Sequence, residues 1–214
     1  MRLRRNWQGE AALPSMPGVI EANPELCRHR WREIFGEDRP LHLEIGMGKG
    51  DFLMGMAARH TSVNFVGIER IPTVLYIAVR KNQQRPLANL RFLPVDAKEL
   101  EQYFGESQVE RIYLNFSDPW PKQRHSSRRL THKSKLDIYS RILKPGGQVH
   151  LKTDQEKLFD FSVEEFVRAG WSLGKITRDL HNSGFEGNVT TEYEKRFLQQ
   201  GQPIYRLEAW NGKK

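Results

Sequence analysis

Four acidic residues stand at successive stations along the first 118 residues of the chain. Glu44, Glu69, Asp96 and Asp118 each end or closely follow a short apolar run. Around the first lies Glu44-Ile45-Gly46-Met47-Gly48-Lys49-Gly50. Gly46 and Gly48 let the backbone turn tightly and approach a ligand closely. The loop is not a dinucleotide fingerprint, because its third glycine comes one residue early. Nor is it a phosphate-binding P-loop, because Lys49 is followed by Gly50 and not by Ser or Thr. Gathered carboxylates would repel a pyrophosphate. They suit a ligand made of cations and hydrogen-bond donors. S-adenosylmethionine is such a ligand, with a sulfonium, an ammonium, a ribose diol and an adenine amine. It is the expected cofactor, held by Glu44, Gly46, Gly48, Glu69, Asp96 and Asp118. Glu69 follows the glycines by about 20 residues, the usual distance for an acid that holds ribose hydroxyls. Any one such acid is as readily a helix cap or a surface ion pair. Four at successive strand ends favour a shared ligand.

The elements that must position these acids read as alternating strands and helices. Leu41–Ile45, 64–69, 90–95, 111–116 and 148–152 have the length and apolar content of strands. Helical periodicity covers 51–60, 72–81, 136–143 and 156–169. Pro145-Gly146-Gly147 is expected to close the third of these helices. The alternation predicts an α/β fold, a doubly wound, mostly parallel sheet; with the acids at its strand ends the expected fold is of the Rossmann-like methyltransferase type. In such a sheet ligands sit beyond the carboxyl ends of the strands. After Trp171 the text turns strand-like. Phe197-Leu198 and Ile204–Trp210 are expected to form a C-terminal antiparallel hairpin around Gly201. Residues 1–40 read as an irregular basic arm with a short helix at Trp31-Ile34-Phe35, and 41–214 as the catalytic domain.

Charge points to a polyanion. The chain has 214 residues and a formal net charge of +8, a balance common in nucleic-acid binders. Its densest run is 122–135, Lys122-Gln123-Arg124-His125-Ser126-Ser127-Arg128-Arg129-Leu130-Thr131-His132-Lys133-Ser134-Lys135, which contains no acid. A run of this kind is often a solvated face. Here it begins beside Asp118, so Arg124, Arg128 and Arg129 are expected to contact RNA. Arg2, Arg4 and Arg5 are weaker candidates for phosphate contacts. A single cysteine rules out an internal disulfide and multi-thiolate metal sites. The seven histidines show no metal-ligand spacing. No apolar run has membrane-spanning length, and the N-terminus lacks the apolar stretch of a secretory signal. A cytoplasmic monomer or homodimer with no metal is expected.

Asn115-Phe116-Ser117-Asp118-Pro119-Trp120-Pro121-Lys122 resembles the Asp/Asn-Pro-Pro-aromatic loop of exocyclic-amine methyltransferases, with Trp120 in the second proline position. Trp120 is suited equally to stacking on a base and to plugging the core. Together with the glycine loop, Leu151-Lys152-Thr153-Asp154 and Thr190-Thr191-Glu192-Tyr193-Glu194, this loop resembles the bacterial tRNA (guanine-N7)-methyltransferases over nearly all of 41–210. The resemblance implies methylation of a guanine in the tRNA variable loop. It implies that Asp118 is catalytic and that Lys122, Asp154, Thr191, Glu192, Tyr193 and Glu194 bind substrate. Guanine N7 carries a lone pair and no proton, so its methylation needs positioning and a nearby carboxylate, not a general base. Asp118 is the first candidate for that carboxylate and Asp154 the second. Asp154 or Glu194 would accept the N1 and N2 hydrogens of guanine. Asp154 is equally suited to capping the helix at Glu156. The alternatives are an exocyclic-amine methyltransferase on nucleic acid and a non-catalytic RNA-binding module.

Overall fold

Short apolar runs buried on both faces pair in parallel when helices cover the sheet, and this chain follows that rule in a computed structural model. The structure describes residues 5–20 and 22–212, and the side chains of Glu192 and Lys195 also lie outside the description. In chain order the elements are α1 (Trp7–Ala12), α2 (Pro24–Cys27), α3 (Trp31–Phe35), β1 (Leu41–Ile45), α4 (Asp51–Arg59), β2 (Asn64–Ile68), α5 (Pro72–Gln84), β3 (Leu90–Leu93) and α6 (Leu100–Tyr103). They continue with β4 (Val109–Asn115), α7 (Lys133–Ile142), β5 (Leu143–Thr153), α8 (Glu156–Arg168), β6 (Ser172–Thr177), α9 (Glu192–Gln199) and β7 (Tyr205–Trp210). The sheet order is β3-β2-β1-β4-β5-β7-β6. The first five strands run parallel, and β7 is inserted antiparallel between β5 and β6. Strand order reverses between β1 and β4, which opens a crevice at their carboxyl ends.

Two apolar layers clamp the sheet. Leu43, Ile45, Val66, Ile112, Leu114, Val149 and Leu151 face one way and pack with Leu136, Tyr139 and Phe166. Phe65, Leu90, Phe92 and Tyr113 face the other way and pack with Phe52, Leu53, Leu75 and Val79. The second face changes character toward β5 and β7. There Asn115, Lys152 and Arg206 sit side by side in register, and Lys152 and Arg206 are both buried.

Three expectations differ from the structure. Pro145-Gly146-Gly147 does not close α7. The helix passes directly into β5, and the three residues form an excursion within the strand, where pairing jumps from Val109–Leu143 to Arg111–Gln148. Phe197 and Leu198 are not in a strand. They belong to α9, whose start is fixed by a capping box: the Thr191 hydroxyl accepts from Glu194 N at 2.9 Å and the Glu194 carboxylate accepts from Thr191 N. The expected C-terminal antiparallel hairpin is present, but β7 pairs with β5 on one side and β6 on the other. Finally, residues before Leu41 are not irregular throughout. Asn6 caps α1, accepting from Gly9 N at 2.9 Å, and Asn23 caps α2, accepting from Glu25 N at 3.0 Å.

The N-terminal segment is tied to both layers. Leu13 joins the layer containing Phe92. Trp31 stacks on Phe104 with ring centroids 4.8 Å apart, and its indole N–H donates to the Tyr103 carbonyl at 3.0 Å. Trp31→Ala removes this aromatic and orphans that carbonyl. It is expected to lower unfolding free energy by about 3–5 kcal/mol, measured by urea denaturation. A shift within error would show that α3 is not part of the cooperative core.

Candidate active site

The carboxyl ends of β1, β2, β3 and β4 open onto one cavity of ≈ 760 Å³. That lies within the range of small-molecule sites. Glu44, Glu69, Asp96 and Asp118 all line it, as do Gly46 and Gly48. The two glycines have φ of 70° and 58°, left-handed values that cost a side-chain-bearing residue steric energy. Backbone N–H groups of Gly46 and Met47 both donate to the Ile68 carbonyl, at 2.8 and 3.1 Å. The loop is thereby folded back across the end of β2.

Each acid is held differently. Glu69 accepts from Gly48 N at 3.2 Å and from Ile71 N at 2.9 Å. Its carboxyl lies above the usual range because burial outweighs these two bonds. Asp96 accepts from Lys98 N at 3.0 Å. Glu44 is 2% exposed. One of its oxygens accepts from Asn115 Nδ2 at 2.8 Å, and the other, Oε2, is buried with no partner among the described residues. Burial pushes this carboxyl up to about 8, against the lowering effects of Asn115 and Lys152. An orphaned carboxylate oxygen in a buried wall is an acceptor waiting for a donor.

Asp118 is exposed and stands on a strained loop. Its neighbours Phe116 and Trp120 have φ of 50° and 41°, values that non-glycine residues adopt only when the surroundings hold them there. Arg129 supplies much of that hold. Its guanidinium donates to the Pro119 carbonyl at 3.1 Å and to the Trp120 carbonyl at 3.0 Å, and lies over the Phe161 ring. Phe116 N donates to the Lys152 carbonyl at 2.8 Å. Trp120 is not a core plug. It is half-buried at the cavity wall, with His125 edge-on and the Arg128 guanidinium 4.8 Å from its centroid.

This geometry belongs to a known family. The family model described as "Putative methyltransferase" matches residues 38–207. A tRNA (guanine-N(7)-)-methyltransferase from Geobacillus sp. (strain WCH70) is 47% identical over 209 residues, covering 98% of this chain and 95% of the relative. The protein of the same name from Streptococcus suis (strain 05ZYH33) is 46% identical over 209 residues, covering 98% and 99%. The chain belongs to the tRNA (guanine-N(7)-)-methyltransferase family. Its fold is shared with more distant solved structures. The 16S rRNA methyltransferase KamB is 14% identical with a TM-score of 0.64, covering 84% of this chain and 91% of that one. A 16S rRNA (adenine(1408)-N(1))-methyltransferase from Catenulisporales acidiphilia, solved with cosubstrate SAM, is 14% identical with a TM-score of 0.61, covering 89% and 92%.

The remaining positions expected from the sequence fall on and off the cavity wall. Thr191, Tyr193 and Arg128 line the same cavity as the four acids. Tyr193 is 59% exposed, and its ring stacks on Phe116 at 6.3 Å. Lys122, Arg124 and Asp154 lie outside the cavity wall. Lys122 and Arg124 are exposed, at the N-cap of and within the 3-10 helix Gln123–Arg128, while Asp154 accepts from its neighbour Gln155 and does not cap α8. The Glu192 side chain, Arg2 and Arg4 fall outside the described residues, and Arg5 pairs with Glu10 at 2.9 Å. Two expectations need correction on geometric grounds. Arg129 is 7% exposed and spends its donors on the Asp118 loop, so it does not face RNA. Glu194 is fully buried, and its oxygens accept from Lys152, Asn188 and Thr191 N, so no base edge reaches it here.

Asn115 also lines the cavity, and Lys152 is its neighbour in register on β5; neither has a site role on sequence grounds. Both lie at strand ends already marked by Asp118 and Asp154, the one sequence signal available. Glu44 gives a measurable signature. Its folded-state carboxyl holds a proton up to about 8, whereas its ordinary value is 4.5. Stability from this group is full below the ordinary value and declines as pH rises through the folded one. Glu44→Gln removes that decline. The variant's melting temperature relative to the native chain is expected to rise from about pH 5 to about pH 8.5 in ligand-free melts. A constant offset would mean that Glu44 is ionised throughout.

Proposed function

We propose that this chain transfers a methyl group from S-adenosylmethionine to N7 of a guanine in the variable loop of tRNA, in the cytoplasm. The single observation that carries this reading is the convergence of Glu44, Glu69, Asp96 and Asp118 on one cavity with Arg128 at its wall. The names of the 46–47% identical relatives support the reaction and the nucleic acid.

The residues present fit the cofactor. Glu44 Oε2 lacks a partner and would accept from the ammonium group. Glu69 is held by two backbone donors that leave lone pairs for a ribose diol. Asp96 would accept from the adenine amine. Gly46 and Gly48 leave room at the loop: a Cβ on Gly48 meets nothing within 4 Å. When bound, the donor supplies an electrophilic methyl group on a sulfonium.

The chain's own task is then positional and electrostatic. Guanine N7 is already nucleophilic, so no side chain has to remove a proton. Asp118 places a carboxylate at the cavity mouth, where it would stabilise the positive charge that the guanine ring gains. Its strained, Arg129-clamped loop fixes that carboxylate before substrate arrives. Tyr193 and Trp120 present aromatic faces at the same rim, suited to an unstacked base. Lys122, Arg124 and Arg128 form the exposed cationic approach for phosphates. Asp154, just beyond β5, is the remaining carboxylate suited to the N1 and N2 edge of guanine.

Unmodified tRNA incubated with labelled donor, then treated with borohydride and aniline, is expected to break at one guanine. Stable label without scission would point to an exocyclic amine product and overturn the reading. Asp118→Ala should lower turnover by about a hundredfold or more with the melting curve preserved; unchanged turnover would remove Asp118 from the reaction. Arg128→Ala should weaken tRNA binding and reduce the salt slope by about 1. Unaltered filter binding would leave Arg128 as an ordinary surface cation.

A further inference from the structure

The three acceptors of the Lys152 ammonium belong to one segment. Lys152 is 5% exposed, yet its ammonium has a full set of partners: Glu194 Oε2 at 2.8 Å, the Val189 carbonyl at 3.0 Å and Asn188 Oδ1 at 3.1 Å. All three lie at 188–194, the stretch that starts α9 and puts Thr191 and Tyr193 on the cavity wall. Burial lowers the Lys152 ammonium, and Glu194 opposes that shift. Glu194 is closed off in the same way. Besides Lys152 it accepts from Asn188 Nδ2 and from Thr191 N within the capping box. A carboxylate with no exposed surface and three donors in place has no free face for a nucleotide. The backbone of Lys152 works in the other direction. Its carbonyl accepts from Phe116 N at 2.8 Å, and Phe116 in turn stacks on Tyr193 and Phe197. One residue therefore ties the Asp118 loop to the Tyr193 segment.

We infer that the buried Lys152–Glu194 pair is a latch that positions the Thr191–Tyr193 rim against the Asp118 loop, and that Glu194 acts on substrate through this latch without touching the base. Both are positioning residues. The inference deepens the tRNA reading and rests on it for its kinetic arm alone. Opposite charges in a dry site hold strongly only as a pair. Losing one leaves the other uncompensated, and removing both relieves the conflict. A residue that reads guanine directly behaves otherwise, because no second substitution restores its contact.

The test is a double-mutant cycle on the full chain. Glu194→Gln is expected to raise the KM for tRNA by about tenfold, with S-adenosylhomocysteine affinity held within about twofold by calorimetry. Amide hydrogen exchange at 188–199 should accelerate in the same variant, without RNA or methyl donor present. Lys152→Met combined with Glu194→Gln should recover a tRNA KM within about threefold of the native value. A double variant as impaired as Glu194→Gln alone would overturn the latch in favour of direct base contact. Unchanged exchange at 188–199 would overturn it as well. Should Glu194→Gln fail to fold, Asn188→Ala, which removes a bond to each partner from outside the cavity wall, must raise the tRNA KM and the exchange rate. No change in either sinks the inference. Native-chain scission of tRNA tests the substrate reading separately, so the two can fail independently.

Discussion

A carboxyl group cut off from water sets the terms for the centre of this sheet. Glu44 ends β1 with one oxygen on Asn115 and the other unpaired. Burying a charge in that state is costly, and the chain accommodates it by holding the proton, with the carboxyl pushed up to about 8. An arriving cation changes the balance, since it offers the partner that the fold withholds. The cavity is therefore built for a positively charged guest, and the surrounding elements can be understood as what keeps that cavity open, dry and shaped.

Two clamps do this from opposite sides. Arg129 comes from within the most basic run of the chain, yet it turns inward and donates to two carbonyls of the Asp118 loop. Lys152 comes from β5, an interior strand of the sheet, and gathers the 188–194 segment. Each clamp is a buried cation satisfied by carbonyls or a carboxylate, which is the condition under which buried charge is tolerated. The rim between them carries the exposed aromatic Tyr193 and the half-buried Trp120. Cations that remain outside, at Lys122, Arg124 and Arg128, are free to meet a polyanion. Thus a single charge type serves two ends, sorted by burial.

The strand-helix alternation was legible from residue types alone, because an apolar run that is buried on both faces leaves no other periodicity. The acids at strand ends were legible for a related reason: in a parallel sheet, all carboxyl ends point the same way. Misreadings came where local text was ambiguous. Phe197-Leu198 looked strand-like as an isolated apolar pair. The helix signal lay six residues earlier, in Thr191-Glu192-Tyr193-Glu194, whose Thr-x-x-Glu spacing is a capping box. Pro145-Gly146-Gly147 looked like a helix stop, but the strand absorbs it as an irregularity beside Val109 and Arg111. β6 falls in the strand-like text after Trp171 but had no legible bounds, because none of its residues is buried at the sheet edge.

By itself the sequence determined the fold class, the positions of the four acids and the cationic bias of the region after Asp118. Those follow from chain-local chemistry: periodicity, strand ends and net charge. Only the tertiary structure decided which charges are spent internally. Arg128 and Arg129 are adjacent and alike on paper, but one faces the cavity rim and the other is consumed by Pro119 and Trp120. Glu192 and Glu194 differ in sequence only by position, and Glu194 is sealed inside by Lys152, 42 residues away. The physical reason is that a charge's role depends on whether water reaches it, and water access is fixed by contacts between segments far apart in the chain.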